Sequence, residues 1–273
     1  MHSLERLLKA ADLARSTFFY QRRAMASVDA PRALEARIRA LYDEHKGRYG
    51  YRRITAALRR CGETVNHKTV QKLMVAMGLK SLVRPKKFRS YRGPEGLTAP
   101  NTLGRNFQAD RPNQKWTTDV SEFKVGDQKL YLSPVMDLYN GEIVAYQTSR
   151  RPVLAMVTSM LVKAFRRLAP GDTPLLHSDQ GWLYRVPGYA RLLAKKSVQQ
   201  SMSRKGNCLD NAAMESFFGT LKSELFYLNR FHSIDHLKQS IDRYIHYYNY
   251  ERIKLRLNGL SPVQYRLRTC PLD

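Results

Sequence analysis

The chain has 273 residues and 43% hydrophobic content, enough for one well-cored domain plus smaller modules and too apolar for a wholly disordered chain. Its 47 Lys and Arg against 23 Asp and Glu leave a formal net charge of +24, and self-repulsion of that size is tolerated mainly beside a polyanion. No apolar run approaches the roughly 20 residues that span a bilayer, the first residues lack a signal-peptide core, and the three distant cysteines, Cys61, Cys208 and Cys270, argue against a disulfide framework or a zinc site and fit a reducing cytoplasm.

The charge is uneven. Residues 1–112 carry 24 Lys and Arg against 9 Asp and Glu, a net +15 of the +24. Residues 1–28 read as a short helical segment, Leu4–Ala10 and then 15–23. It is either a simple hairpin or, through Ser16-Thr17-Phe18-Phe19-Tyr20, the second half of a helix-turn-helix. No long heptad repeat precedes it.

Residues 29–83 read as a compact all-α module. Leu34, Ile38, Leu41 and Tyr42 make one apolar face, and Ile54, Ala57 and Leu58 point inward from a second helix that Gly62 stops. Asn66 caps a third helix over 67–77, with Val70, Leu73, Met74 and Met77 inward. Read as a helix-turn-helix, the module turns Lys68, Gln71 and Lys72 towards a DNA groove. Read as a three-helix bundle, the same residues are a solvated basic face; the net charge favours DNA.

Residues 84–112 form a linker. Arg84, Lys86, Lys87, Arg89 and Arg92 are interleaved with Phe88 and Tyr91, and Pro94, Gly96, Pro100 and Gly104 break regular structure. The composition suits phosphate contact along a duplex, or simply a solvated linker.

Residues 113–228 read as an α/β core. Strands are predicted at 115–125, 128–138 and 142–149, joined by turns at Gly126-Asp127 and Asn140-Gly141. A helix (153–168), a strand (174–178), a helix (187–196) and a short strand (198–202) follow. A last helix, capped by Asp210 or Asn207, runs towards Phe226. Residues 229–273 form a helical tail in which Ile234, Leu237, Ile241, Tyr244 and Tyr248 repeat at helical spacing.

Three carboxylates stand out in this core. Asp119 interrupts an apolar, β-rich run, where it is costly to bury unless something pairs with it. Asp179 ends the strand Leu175-Leu176-His177-Ser178 at a polar turn. Glu215, separated from Asp179 by 35 residues, is on a helical face shared with Asn211, Phe218 and Lys222. Taken alone, that face is a solvated stripe. If two strands and a helix bring the three acids together, they repel unless a hard divalent cation holds them. Oxygen-only donors favour Mg²⁺ or Mn²⁺.

The wording around these acids resembles a known family. Trp116 and Asp119; His177-Ser178-Asp179 and Gly181; Ser203, Gly206-Asn207, Asp210-Asn211-Ala212 and Glu215-Ser216-Phe217-Phe218; then Leu221-Lys222 and Glu224 are similar to the D…D-(35)-E core of transposases and retroviral-type integrases. They most resemble the second-frame product of the bacterial insertion-sequence family often called IS-three, over residues 30–268. The resemblance implies a ribonuclease-H-like core in the order β-β-β-α-β-α-β-α behind an N-terminal helix-turn-helix. It implies a DNA-cutting and DNA-joining enzyme whose Asp119, Asp179 and Glu215 bind two Mg²⁺ (or Mn²⁺) about 3.5–4 Å apart. Asn211 then orients Glu215 or touches DNA, Lys222 holds a phosphate, and Arg204 and Lys205 in the glycine loop contact the duplex. His177 is either structural or part of the site.

The same resemblance implies a copy-out, paste-in route, an oligomer at synapsis, a first-frame partner that is not fused to this chain, and a bacterial, nucleoid-associated location. Two positions depart from the family wording: Lys254 stands where a histidine is usual, and Leu183 where a glutamine is usual, a change that could alter a substrate contact. A non-catalytic DNA binder and a simple nuclease of the same fold are the rivals. The intact acidic triad argues against the first, and the helix-turn-helix with its basic linker against the second.

Overall fold

The computed structural model describes residues 4–83, 99–204 and 208–270, without the side chains of Gln21, 23–31, Cys208 and Leu209. Asn207 and the expected DNA contacts Arg84, Lys86, Lys87, Arg89 and Lys205 lie outside the described residues. The chain divides into two compact units, residues 1–82 and 83–273.

The first unit is helical: α1 Leu4–Ala10, α2 Arg15–Glu44, α3 Tyr51–Arg60 and α4 His67–Ala76. The separate helices expected at 15–23 and from Leu34 onward are one continuous helix of 30 residues. Between them the chain has no glycine and is rich in alanine, which favours continuation, although Pro31 within the stretch removes one backbone donor and works against it. Ile38 of α2, Ile54 and Leu58 of α3, and Val70 and Met74 of α4 form the core. Tyr49 is fully buried beneath a stacked His45, ring centroids 3.8 Å apart. The Asn66 side chain caps α4 by accepting from the Lys68 N–H at 2.9 Å. Gly47 sits at φ +69°, where a Cβ would meet Leu82 Cδ1 at 2.7 Å, so the close return of the chain requires glycine.

The second unit is a mixed sheet: β1 Lys115–Thr118, β2 Ser121–Val125, β3 Gln128–Asp137, β4 Ile143–Ser149, β5 Leu175–Ser178 and β6 Gln199–Met202. β2, β3 and β4 are antiparallel neighbours, β1 joins β3 antiparallel, and β5 and β6 follow parallel. The single strand expected at 115–125 is broken at Asp119-Val120 into β1 and β2, both paired to β3 (Trp116 opposite Asp137, Ser121 opposite Leu132). Residues 99–103 run along the outer strand β6: the Met202 N–H donates to the Pro100 carbonyl at 3.3 Å and the Leu103 N–H to Ser201 Oγ at 3.1 Å. That cover protects an edge that otherwise invites strand pairing.

Alternation along β3 feeds two cores, one on each face. Leu130, Leu132 and Met136 join Phe123 and face α7 (Ala212–Leu221) and α8 (Ile234–Tyr250), through Phe217, Leu221, Leu237 and Ile241. Val135 joins Trp116 and Leu176 and faces α5 (Leu154–Phe165) and α6 (Pro187–Ala194), through Val157, Met160, Tyr189 and Leu193. Leu183 is buried in this second core.

The C-terminal part, ending in α9 (Pro262–Thr269), is built into the core. The Asn249 side chain accepts from the Ile143 N–H and donates to the Ile143 carbonyl, both at 2.9 Å, and so acts as one more strand residue on β4. Arg252 forks onto buried Glu224 at 2.8 and 2.6 Å, and the Tyr244 hydroxyl donates to the same carboxylate at 3.0 Å. Lys254 donates to the Gly141 carbonyl at 3.1 Å and to the Tyr248 hydroxyl at 2.6 Å. Its place is therefore structural.

Candidate active site

Two adjacent parallel strands place the aspartates. Thr117 of β1 is the register partner of His177 of β5. Two residues further along each strand, at the same end of the sheet, stand Asp119 and Asp179. Neighbouring strands lie only about 4.8 Å apart. The interruption of β1 occurs at Asp119 itself, whose Oδ1 accepts from the Val120 N–H at 2.7 Å. Asp179 Oδ1 accepts from the Gly181 N–H at 2.9 Å. A Cβ on Gly181 would stand 2.8 Å from that oxygen, so a side chain there would displace the Asp179 carboxylate.

Glu215 arrives on α7, and Asn211 brings that helix to β1. The Thr117 hydroxyl donates to Asn211 Oδ1 at 2.5 Å, and Asn211 Nδ2 donates to the Thr118 carbonyl at 3.1 Å. Asn211 is buried and precedes α7 as its N-cap residue, with Glu215 in the first helical turn. Its amide is engaged with the strand beside Asp119 on both its donor and acceptor sides. After α7 the chain continues as a π-helical turn, Lys222–Phe226. Such turns gather at functional sites because they re-aim side chains. Lys222 Nζ lies 5.2 Å from the centre of the Phe123 ring, and its charge reaches Asp119.

The electrostatics are those of crowded acids. Burial pushes the Asp119 carboxyl up to about 8; the Asp179 charge adds to this, the Val120 N–H opposes it, Glu215 adds again and Lys222 opposes. Burial raises Asp179 too, against the Gly181 N–H and the Arg185 charge. Burial alone raises Glu215. The site therefore resists holding its own negative charges. Among the described residues, no three His, Cys, Asp or Glu side chains stand together at metal-ligand spacing. The donor chemistry nonetheless fits a hard cation: all three groups offer oxygen, and their mutual repulsion is what a divalent cation removes.

The other expected site residues fall into three groups. His177 is fully buried, with Nδ1 2.9 Å from Ser201 Oγ and Nε2 3.0 Å from Ser203 Oγ. Burial lowers its pKa to about 4, so it is a neutral pin between β5 and β6. Asp210 does not cap α7; its buried carboxylate binds Arg204, Arg105 and Asn101 instead. In the separate helical unit, Lys68, Gln71 and Lys72 are all exposed on α4, and Val75, which the sequence reading passed over, is 73% exposed on the same face. Its only sequence signal was its spacing, three residues after Lys72 and four after Gln71. Arg105 carried no sequence signal, because its partner is 105 residues away.

A sheet of this topology, with carboxylates at the ends of adjacent strands and on the helix stapled to them, defines an integrase-type polynucleotidyl transferase. The comparisons agree. An integrase core domain model matches residues 109–208, a second integrase core domain model matches 215–269, and an HTH-like domain model matches 30–87. The chain is 53% identical over 268 residues (98% of its length, 95% of the relative's) to a putative transposase, InsK, for insertion sequence element IS150 of Escherichia coli. It is 33% identical over 229 residues (83% and 79%) to the transposase InsF for insertion sequence IS3A of the same species. The fold is shared with a simian T-cell lymphotropic virus intasome solved in complex with PP2A regulatory subunit B56 gamma, at TM-score 0.51 and 16% identity, over 87% of this chain and 77% of that one. The chain belongs to the IS3 family of insertion-sequence transposases, enzymes of DNA cleavage and integration.

Proposed function

We propose that Asp119, Asp179 and Glu215 are the metal-binding catalytic triad of this transposase, and that they hold two Mg²⁺ (or Mn²⁺) ions. The observation that carries this reading is the parallel pairing of β1 with β5, which puts Asp119 and Asp179 at the same end of neighbouring strands, with the Glu215 helix tied to β1 through Asn211. The upward direction of all three carboxyl pKa values accords with it. Bound there, divalent cations would supply Lewis-acid stabilisation of the leaving 3′ oxygen and activation of the attacking group. The residues do the rest. Asn211 fixes the approach of α7, and hence of Glu215, to the Asp119 strand. Lys222 holds a non-bridging phosphate oxygen beside Asp119. Water is the nucleophile for cleavage and a DNA 3′-OH for joining, and no covalent enzyme intermediate is required.

End recognition belongs to the helical module, residues 29–83. Lys68, Gln71 and Lys72 face the major groove, with Val75 available to a thymine methyl group. The basic segment 84–112 tracks phosphates through Arg84, Lys86, Lys87 and Arg89, and Arg204 and Lys205 do so beside the core (113–228). The tail, 229–273, completes the core. Synapsis of two element ends calls for an oligomer, and a first-frame protein is the expected partner. No helix among the described residues is long and apolar enough to cross a membrane. Action on chromosomal DNA places the protein in the bacterial cytoplasm, at the nucleoid.

The deciding experiment incubates purified protein with Mg²⁺ and a labelled duplex carrying the element's ends, beside Glu215→Gln. Joined products that vanish in the variant support the triad. Joining retained by Glu215→Gln would overturn it. Hydrolysis without joining, even with the first-frame protein added, would point to the nuclease.

A further inference from the structure

Asp210 is the most heavily used carboxylate near the site. Its side chain is 0% exposed, yet both its arginine partners reach solvent: Arg204 is 58% and Arg105 44% exposed. Arg204 donates through Nε and Nη2, each at 3.0 Å, and through its backbone N–H at 3.0 Å. Arg105 donates through Nε at 2.8 Å, and Asn101 adds Nδ2 at 2.9 Å. One buried negative charge thus holds two outward guanidinium groups and leaves a local excess of one positive charge. Asn101 also braces the turn that carries Arg105, by accepting from the Gly104 N–H at 3.0 Å. The strip bearing Arg105 is itself tied to β6.

The residue after Asp210 is Asn211, whose amide is bound to the strand end at Asp119. The arginine pair is therefore anchored one residue from the staple of the candidate active site. Fixing a planar guanidinium before its ligand arrives reduces the entropy lost per hydrogen bond, and with the Nε side of each arginine engaged by Asp210 the Nη1/Nη2 edge is the fork left to match two phosphate oxygens. The bonds to Asp210 also hold its carboxyl well below the usual carboxylate range, so the carboxylate stays charged and the brace intact at neutral pH.

We propose that Arg105 and Arg204, held in place by Asp210, form a two-arginine clamp for phosphodiester groups of the DNA strand entering the active site. The clamp reads no base. It rests on the transposase reading above and deepens it, by assigning a phosphate contact to Arg105 and an orienting role to Asp210.

The test measures duplex affinity against salt concentration in EDTA, so that catalysis does not enter. One duplex carries the element end and a second carries a scrambled sequence. Each of Arg105→Ala and Arg204→Ala is expected to flatten the log–log salt slope by about 0.9 and to weaken both duplexes alike. Asp210→Asn gives the sharpest sign. Removing a negative charge near DNA tightens binding if only net charge counts, whereas loss of orientation weakens it severalfold. Unchanged slopes for Arg105→Ala, or tighter binding by Asp210→Asn, would overturn the clamp. If Asp210→Asn does not fold, as judged by its melting curve, the double variant Arg105→Lys/Arg204→Lys replaces it. That variant keeps both charges and loses the forks, so wild-type affinity there would also overturn the clamp. Failure of wild-type protein to bind either duplex would instead remove the DNA reading itself.

Discussion

At the scale of single residues, the chemistry rests on carboxyl groups that repel one another. Asp179→Asn should abolish both cleavage and joining while duplex binding in EDTA stays within about twofold of wild type, since the change touches no phosphate contact. Gel-shift and strand-transfer assays on one preparation check both halves. The raised Asp119 carboxyl makes a second prediction. Its folded pKa of about 8 lies above the ordinary 3.8, so the folded state binds the proton more tightly than the unfolded chain does. The metal-free protein therefore loses stability as pH rises from the ordinary carboxylate range towards 8, and the loss is complete above it. A divalent cation offsets that loss, so Mn²⁺ should raise Tm more above pH 8 than well below it, and binding near neutrality should release a proton. A Tm increment independent of pH would count against Asp119 as a ligand.

At the scale of elements, the decisive feature is how α7 is held. Asn211→Ala leaves the Thr118 carbonyl and the Thr117 hydroxyl without their partner inside the sheet end, at a cost of about 1–3 kcal/mol. A denaturant titration reads the stability loss. Strand transfer should fall further than stability alone accounts for, because Glu215 loses its registration against β1. The tail makes a comparable prediction. Glu224 and Arg252 form a buried, bidentate pair that also engages Tyr244. Breaking such a pair by removing one partner costs about 3–5 kcal/mol, so Arg252→Ala should lower the urea midpoint sharply although it lies outside the triad.

Much at this scale was legible beforehand. The glycine turns, the Asn66 cap and the inward stripe of α8 follow from local rules of periodicity and capping. What local rules missed is instructive. Asp210 looked like a helix cap because cap residues are recognised by type and position, whereas its carboxylate is taken by Arg204, six residues before it, and by Asn101 and Arg105 far upstream. The break in β1 was hidden because Val120 and Phe123 continue an apolar, β-prone run across it. Of the two departures from the family phrase, Leu183 lies in the second core and Lys254 is hydrogen-bonded to the Gly141 carbonyl and the Tyr248 hydroxyl, placements that the phrase alone does not give.

At the scale of the whole molecule, the net charge of +24 sets the partner. Affinity for any duplex should fall linearly in log–log form with salt, and a flat response would contradict phosphate-dominated binding. Composition, charge and the spacing of Asp119, Asp179 and Glu215 were determined by the sequence alone, because they are properties of the chain as text. So were most helices and strands, since hydrophobic periodicity is local. The neighbouring of Asp119 and Asp179 was decided only by tertiary structure. It requires β1 and β5 to lie parallel side by side, and no local signal encodes which distant strands pair. The same holds for the Asn211 staple and for the bonds that Asn101 and Arg105 make to Asp210: each is a long-range hydrogen-bond arrangement that exists only once the sheet has assembled.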